Sequence, residues 1–188
     1  MGITTSGFYT LGNNVGQCLE NNQGNKVRVA KCDDLNPKSI WRYDVGKQTV
    51  CSRASPSNCL QSGGSLSKND TVVAVANDGT DSMKWKYDGG NRTLCNLYGK
   101  CLENNGPKSQ GQEIRAFNDD GAVNKKWTAK PAVCFSSKEY STAAVDSKQS
   151  NAACTKVCSD NNGMFIPGKY RVKGPSGYCT CNIRGACS

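Results

Sequence analysis

The pentapeptide Cys18-Leu19-Glu20-Asn21-Asn22 returns unchanged as Cys101-Leu102-Glu103-Asn104-Asn105, and Cys59-Leu60-Gln61-Ser62-Gly63 stands between the two. The steps are 41 and 42 residues, and Trp41, Trp85 and Trp127 keep pace at 44 and 42. A unit of that length, present three times, limits the fold more than any other feature, because one copy alone is too short to bury its own apolar face. Trp41-Arg42-Tyr43-Asp44 and Trp85-Lys86-Tyr87-Asp88 repeat a texture that the third copy loosens to Trp127-Thr128-Ala129-Lys130. Between each Cys-Leu and its Trp runs a short apolar stretch: Val27-Arg28-Val29-Ala30, Val72-Val73-Ala74-Val75 and Ile114-Arg115-Ala116-Phe117. Composition and alternation assign these stretches to strands. Asn77-Asp78-Gly79 and Asn118-Asp119-Asp120-Gly121 supply turns. Three such copies can close on themselves as a β-trefoil, four strands to a copy, with the tryptophans packed around a pseudo-three-fold axis. A three-bladed propeller is the weaker alternative, since propellers are typically built from four or more blades.

The repeat stops after Pro131, and residues 131–188 carry six of the twelve cysteines: Cys134, Cys154, Cys158, Cys179, Cys181 and Cys187. The expected organisation is therefore mainly β: a β-trefoil of three repeats of about 42 residues over 1–130, then a small disulfide-rich α+β domain over 131–188. A helix is predicted from about Asn151, which can cap Ala152 to Cys158. A hairpin is predicted to follow, Lys169 to Lys173, a turn at Gly174-Pro175-Ser176-Gly177, then Tyr178 to Ile183. Four residues apart on a helix, Cys154 and Cys158 share a face with an axial offset of about 6 Å. Two apart on a strand, Cys179 and Cys181 share one with an offset of roughly 6.6 Å. The match pairs Cys154 with Cys179 and Cys158 with Cys181, and leaves Cys134 and Cys187 to tie the ends. In the repeats, Cys51 with Cys59 and Cys95 with Cys101 are short-loop pairs, and Cys18 with Cys32 spans 14 residues. An even count of cysteines in so polar a chain points to six disulfides and to secretion; a reduced cytosolic protein is the other reading. Met1-Gly2-Ile3-Thr4-Thr5 has neither a basic nor an apolar leader, so the sequence reads as a mature secreted chain with Met1 as an added start.

Two resemblances follow. Cys-x-x-x-Cys on a helix, Gly177-Tyr178-Cys179 and then Cys-x-Cys on a strand resemble the cysteine-stabilised αβ motif of defensins and scorpion-type toxins. A cysteine usual in that family between its second and third pairs is missing, and Cys187 lies beyond the motif. Over about residues 6–130, the Cys-Leu-Glu starts, the Tyr98-Gly99-Lys100-Cys101-Leu102 run and the late tryptophans resemble the ricin B-chain type of trefoil, the QxW-repeat lectins. That resemblance implies up to three shallow sugar pockets, one per copy. The QxW glutamine is absent throughout: the copies read Ser39-Ile40-Trp41, Met83-Lys84-Trp85 and Lys125-Lys126-Trp127.

A pocket of that type combines a carboxylate two residues after the Cys, an aromatic face at the end of the apolar strand and an Asn before the QxW-like triplet. Copy one offers Glu20 with Ala30 and Lys38; copy two offers Gln61, Val75 and Ser82. Copy three has Glu103, Phe117 and Asn124 together, with Lys125 beside them. The expected carbohydrate site is therefore in copy three.

Charge is concentrated toward the end: residues 1–130 hold 17 basic and 12 acidic side chains, residues 131–188 hold 7 and 3. Lys169, Arg171 and Lys173 are expected to share one strand face, a cationic surface suited to acidic polysaccharide, an anionic membrane or a channel rim. Nucleic acid is not an expected partner, because few aromatics interleave with these cations. The chain has no histidine, so imidazole-based triads are excluded. Asp33-Asp34 and Asp119-Asp120 are neighbours in turns rather than opposed acid and base. No enzyme activity, metal or cofactor is expected. Asn69-Asp70-Thr71 and Asn91-Arg92-Thr93 are glycosylation sequons. The reading is a secreted lectin-like protein that brings a cationic defensin-like tail to glycan-coated surfaces. The rival is an antimicrobial or channel-directed toxin-like protein whose trefoil has lost sugar binding.

Overall fold

Every copy of the repeat lays down strands at the same offsets from its Cys-Leu and its Trp. The computed structural model describes residues 3, 5–22, 25–33, 36–63, 70–104, 111–143, 150–160, 163–173 and 176–186; beyond Ala132 the described side chains are those of residues 152–156, 158, 159, 177–179 and 181. Copy one comprises β1 (Gly7–Gly12), β2 (Gln17–Asn21), β3 (Val27–Lys31) and β4 (Ile40–Asp44). Copy two comprises β5 (Thr49–Ser52), β6 (Asn58–Gln61), a third strand split into β7 (Asp70–Thr71) and β8 (Val73–Ala76), and β9 (Trp85–Asp88). Copy three comprises β10 (Thr93–Asn96), β11 (Lys100–Asn104), β12 (Ile114–Asn118) and β13 (Thr128–Pro131). The run expected at Val72–Val75 is thus broken at Val72, whose N–H leaves its own copy and donates to the carbonyl of Ile114 (2.9 Å).

The third strands meet between copies, through pairing of β7 with β12 and bridges from Lys26 to Val73 and from Arg28 to Glu113. The last strand of the repeat returns to the first: β13 pairs antiparallel with β1, Leu11 opposite Ala129 and Tyr9 opposite Pro131. That closure removes two free edges and makes the arrangement a β-trefoil.

Trp41, Trp85 and Trp127 are fully buried with Leu11, Leu19, Leu60, Leu94 and Leu102 around them. A buried indole N–H needs an acceptor. Each finds the same one: Trp41, Trp85 and Trp127 Nε1 donate to the carbonyls of Leu19, Leu60 and Leu102, all at 2.9 Å. The recurrent Cys-Leu and the recurrent Trp are therefore two halves of one contact. Tyrosines link neighbouring copies: Tyr43 Oη donates to the carbonyl of Trp85 (3.2 Å) and Tyr87 Oη to that of Trp127 (2.8 Å). Copy three has Ala129 at the matching position, so this link exists twice and not three times.

Three disulfides join neighbouring strands or strand ends within the trefoil, Cys18–Cys32, Cys51–Cys59 and Cys95–Cys101. The chain divides between Ala132 and Val133 into two compact units. In the second, β14 (Val133–Ala143), β16 (Ser176–Ala186) and β15 (Gly163–Lys173) form an antiparallel sheet in that order, with α1 (Ser150–Asp160) alongside. Cys154 is joined to Cys179 and Cys158 to Cys181, with Cα separations of 5.4 Å in both, and all four are fully buried. The equal separations follow from the matched offsets of helix and strand. Cys187 and the Cys134 side chain lie outside the described residues, and with them the pairing expected between those two. One expectation is corrected and one strand is added to those expected. The hairpin is longer than its alternation announces, since Lys173 pairs directly with Ser176 and the second strand already begins there. An eleven-residue strand, β14, precedes the helix; its hydroxyl-rich run hides the two-residue period.

Tyr87→Phe is expected to lower stability by about 1 kcal/mol, because the Trp127 carbonyl and the Ala129 N–H, which also reaches Tyr87 Oη (3.3 Å), lose a partner together. Trp127→Ala is expected to cost about 3–5 kcal/mol. Urea unfolding of the two variants checks both values and their order. Paired Cys51→Ser and Cys59→Ser replacement is expected to lower the melting temperature of a trefoil that still folds. Paired Cys158→Ser and Cys181→Ser replacement is expected to abolish helical circular dichroism from the second unit, whose described core is cysteine.

Candidate functional site

The two strands that flank the site alternate inward and outward in fixed register. On β11 and β12, Leu102 opposes Ala116 toward the core, whereas Cys101 opposes Phe117 and Glu103 opposes Arg115 on the outer face. Past β12 the chain turns: Asp119 Oδ1 accepts the Gly121 N–H (3.0 Å) and Asp120 Oδ1 the Ala122 N–H (2.9 Å). Gly121 takes the left-handed conformation (φ 75°) that favours glycine. A single 3-10 turn, Val123–Lys125, then carries Asn124 and Lys125 back over β11. The same turn recurs as Pro37–Ser39 and Asp81–Met83 just before the other two tryptophans.

The four residues expected in this site do meet. Asn124 Nδ2 donates to Glu103 Oε1 at 2.6 Å. Lys125 Nζ lies 3.9 Å from Glu103 Oε2, 2.7 Å from Asp120 Oδ1 and 5.1 Å from the centroid of the Phe117 ring. Lys125 is only 1% exposed, so its charge is compensated by two carboxylates and an aromatic face rather than by water. Glu103 is 17% exposed and Asp120 54%. The hydrogen bond from Lys125, and then that from the Ala122 N–H, hold the Asp120 carboxyl below the usual carboxylate range. Asn124 Oδ1 is buried with no hydrogen-bond partner among the described residues. An unpaired buried acceptor is costly. The set therefore presents the Glu103 carboxylate, oriented by Asn124, beside an aromatic ring, a pattern that receives hydroxyls on one side and C–H groups on the other.

The matching positions elsewhere are closed. Glu20 is buried and accepts Arg28 Nη2 at 3.3 Å, and Ala30 supplies no ring. Gln61 Nε2 donates to Ser82 Oγ (3.1 Å), Val75 stands for the ring, and Met83 fills the place of Lys125 fully buried. Asp120 is the residue that reasoning from sequence missed. The signal was Lys125 itself, a cation in a position that buries its side chain and therefore requires a counter-ion.

Cys95, Cys101 and Asp119 bring their side-chain ligand atoms within 4.8 Å of one another, but the two sulfurs are bonded as a disulfide and do not serve a metal. In the second unit, Arg171 opposes Tyr178 and Lys173 opposes Ser176, but Lys169 falls where the register shifts between Phe165 and Tyr170. Pro167 has no N–H to give the ladder and Gly168 weakens it, so the alternation expected from Lys169 onward is interrupted there. The side chains of all three lie outside the described residues. Asn69 also lies outside them; Asn91 is exposed in a turn, its Nδ2 on Asp88 Oδ2 (2.8 Å).

The family model of the ricin-type beta-trefoil lectin domain matches residues 7–127, and the chain belongs to that family. Among solved structures it is similar to the agglutinin from Abrus precatorius, at 18% identity and a TM-score of 0.59 over 68% of this chain and 48% of that one. It is similar as well to a non-toxic homologue of type II RIPs from Momordica charantia in complex with α-methyl-D-galactoside, at 18% identity and 0.58 over 68% and 49%. The earthworm R-type lectin C-half in complex with GalNAc aligns at 15% identity and 0.54, over 66% and 98%. The chain thus matches about half the length of the first two. No curated protein sequence matches it significantly.

Lys125→Met is expected to lower stability in urea unfolding, since removing one partner leaves the largely buried Glu103 carboxylate without its counter-charge; Lys125→Met combined with Glu103→Gln is expected to recover most of the loss, because Met83 already occupies the matching position. Asp120 has a folded-state pKa below its unfolded one, so its contribution is complete above about pH 4 and is lost as pH falls through the folded value. Asp120→Asn is therefore expected to flatten part of the fall in melting temperature as pH drops below about 4, measured against the parent chain.

Proposed function

We propose that this protein is a secreted, non-catalytic, carbohydrate-binding protein whose glycan site is the outer face of copy three, and that its second unit is a cysteine-stabilised αβ cargo. One observation carries the reading: Glu103, Phe117 and Asn124 converge in a single copy, with the Asn124 Oδ1 acceptor unpaired among the described residues. Glu103 and Asn124 would take two neighbouring hydroxyls of a sugar ring, and Phe117 its apolar face. Relatives of this fold are seen with α-methyl-D-galactoside and with GalNAc, which supports galactose-type residues as the first ligands to try. Binding at one shallow site is weak. Its use would be to raise the concentration of the second unit at a glycan-coated surface.

The lysine in place of the QxW glutamine, locked to Asp120 and Glu103, favours a second reading. Here the trefoil has ceased to bind sugar, and the cationic strand with Lys169, Arg171 and Lys173 acts on a membrane or channel. A glycan array on the whole chain separates the two. Under the first reading, galactose-type glycans are retained, Glu103→Ala and Phe117→Ala each weaken retention about tenfold or more, and Glu20→Ala does not. Under the second, the array is blank, and leakage of anionic vesicles is lost on replacing Lys169, Arg171 and Lys173 together by alanine.

A further inference from the structure

The β4–β5 hairpin borders a groove on the outer face of the trefoil, away from copy three. It is lined by Arg42, Lys47, Thr49, Pro56, Ser57 and Asn77 over the Cys51–Cys59 disulfide, with a volume of about 280 Å³. It runs on past Gly79 and Thr80 to Lys84. Register explains the floor: Arg42 opposes Cys51 and Cys51 opposes Cys59, so the guanidinium stem and the disulfide share one face.

The pseudo-symmetric turn shows what the fold itself requires at this place. Asp44-Val45-Gly46-Lys47-Gln48 corresponds to Asp88-Gly89-Gly90-Asn91-Arg92, and Gln48 and Arg92 adopt φ 57° and 56°. In the second turn Asn91 folds back onto Asp88, which accepts the N–H groups of Gly90 and Asn91 as well. In the first, Asp44 Oδ1 accepts the Lys47 N–H (3.0 Å). Neither the Lys47 ammonium nor the Arg42 guanidinium forms an ion pair among the described residues. A neutral asparagine closes the matching turn and Lys47 closes its own through the backbone N–H, so turn closure does not call for the charge on Lys47.

We propose that this groove binds an anionic saccharide, a sugar bearing sulfate. Arg42 offers a planar fork that matches an oxyanion two bonds at a time, and Lys47 adds a second positive charge beside it. Thr49, Ser57 and Asn77 supply hydroxyl and amide groups for ring hydroxyls, against walls of Pro56 and Ala76. The carboxylate in the groove, Asp44, already has one oxygen on the turn. Anchoring in lipid calls for bulky apolar side chains, and the groove lining includes neither aromatic nor long aliphatic ones. The groove shares no residue with the Glu103 face, so its fate is independent of the site proposed there.

Binding of the whole chain to an immobilised heparin-derived hexasaccharide at low salt tests this, with the desulfated hexasaccharide and phosphatidylserine vesicles as parallel arms. Expected are retention on the sulfated arm alone, a loss of about tenfold or more on joint Arg42→Ala and Lys47→Ala replacement, and a shallower salt dependence. Glu103→Ala, and joint replacement of Lys169, Arg171 and Lys173, are expected to leave that binding unchanged. On titration of the unaltered chain, amide shifts are expected at Thr49, Ser57 and Asn77. Failure of the unaltered chain to bind, equal binding by the double variant, equal retention on either parallel arm, or shifts confined to the second unit would each overturn the proposal.

Discussion

The hydrogen bond from each tryptophan Nε1 to the leucine carbonyl of its own copy, 2.9 Å in all three, is the constraint on which the trefoil rests. A fully buried indole without an acceptor would cost about as much as one hydrogen bond left unmade in the core, roughly 1–3 kcal/mol. Satisfying it from a backbone carbonyl leaves the side chain at the Cys-Leu site free to be leucine. It also fixes how far the 3-10 turn before each tryptophan lies from the second strand of its copy. Whatever occupies that turn is delivered to the same place over the same strand. Copy three uses this position for Asn124 and Lys125, whereas copy two seats Ser82 and Met83 there.

That delivery explains why much of the candidate site is legible in the sequence. Glu103 is two residues past a cysteine, Phe117 ends an apolar strand, and Asn124 precedes a tryptophan by three, all offsets that the repeat itself calibrates. Asp120 escaped because its role is set by a side chain five residues away that reaches back across a turn. The paired partner of Glu20 escaped for a similar reason: Arg28 sits across a strand pair and satisfies the carboxylate within the fold.

In the second unit the cysteine offsets carried the disulfide pairing of helix to strand, while the sheet was only partly visible. The long strand at Val133–Ala143 is rich in serine and charge, and its eleven partners lie some forty residues away in β16. Such a strand owes its existence to pairing more than to propensity. The interruption at Pro167 shows the opposite effect, a local residue that breaks a ladder which the rest of the run supports.

The missing tyrosine at Ala129 has a mechanical meaning. Copy one is tied to copy two and copy two to copy three through a phenol on the next tryptophan's carbonyl, but the return from copy three to copy one relies on the β13–β1 ladder. The ring therefore has a seam, and the polypeptide that continues into the second unit leaves from its edge, where the Ala132 N–H donates to the Phe8 carbonyl (2.8 Å). Tension applied along the C-terminal chain is borne first by this seam, which would peel open bond by bond while the two tyrosine-linked junctions stay shut.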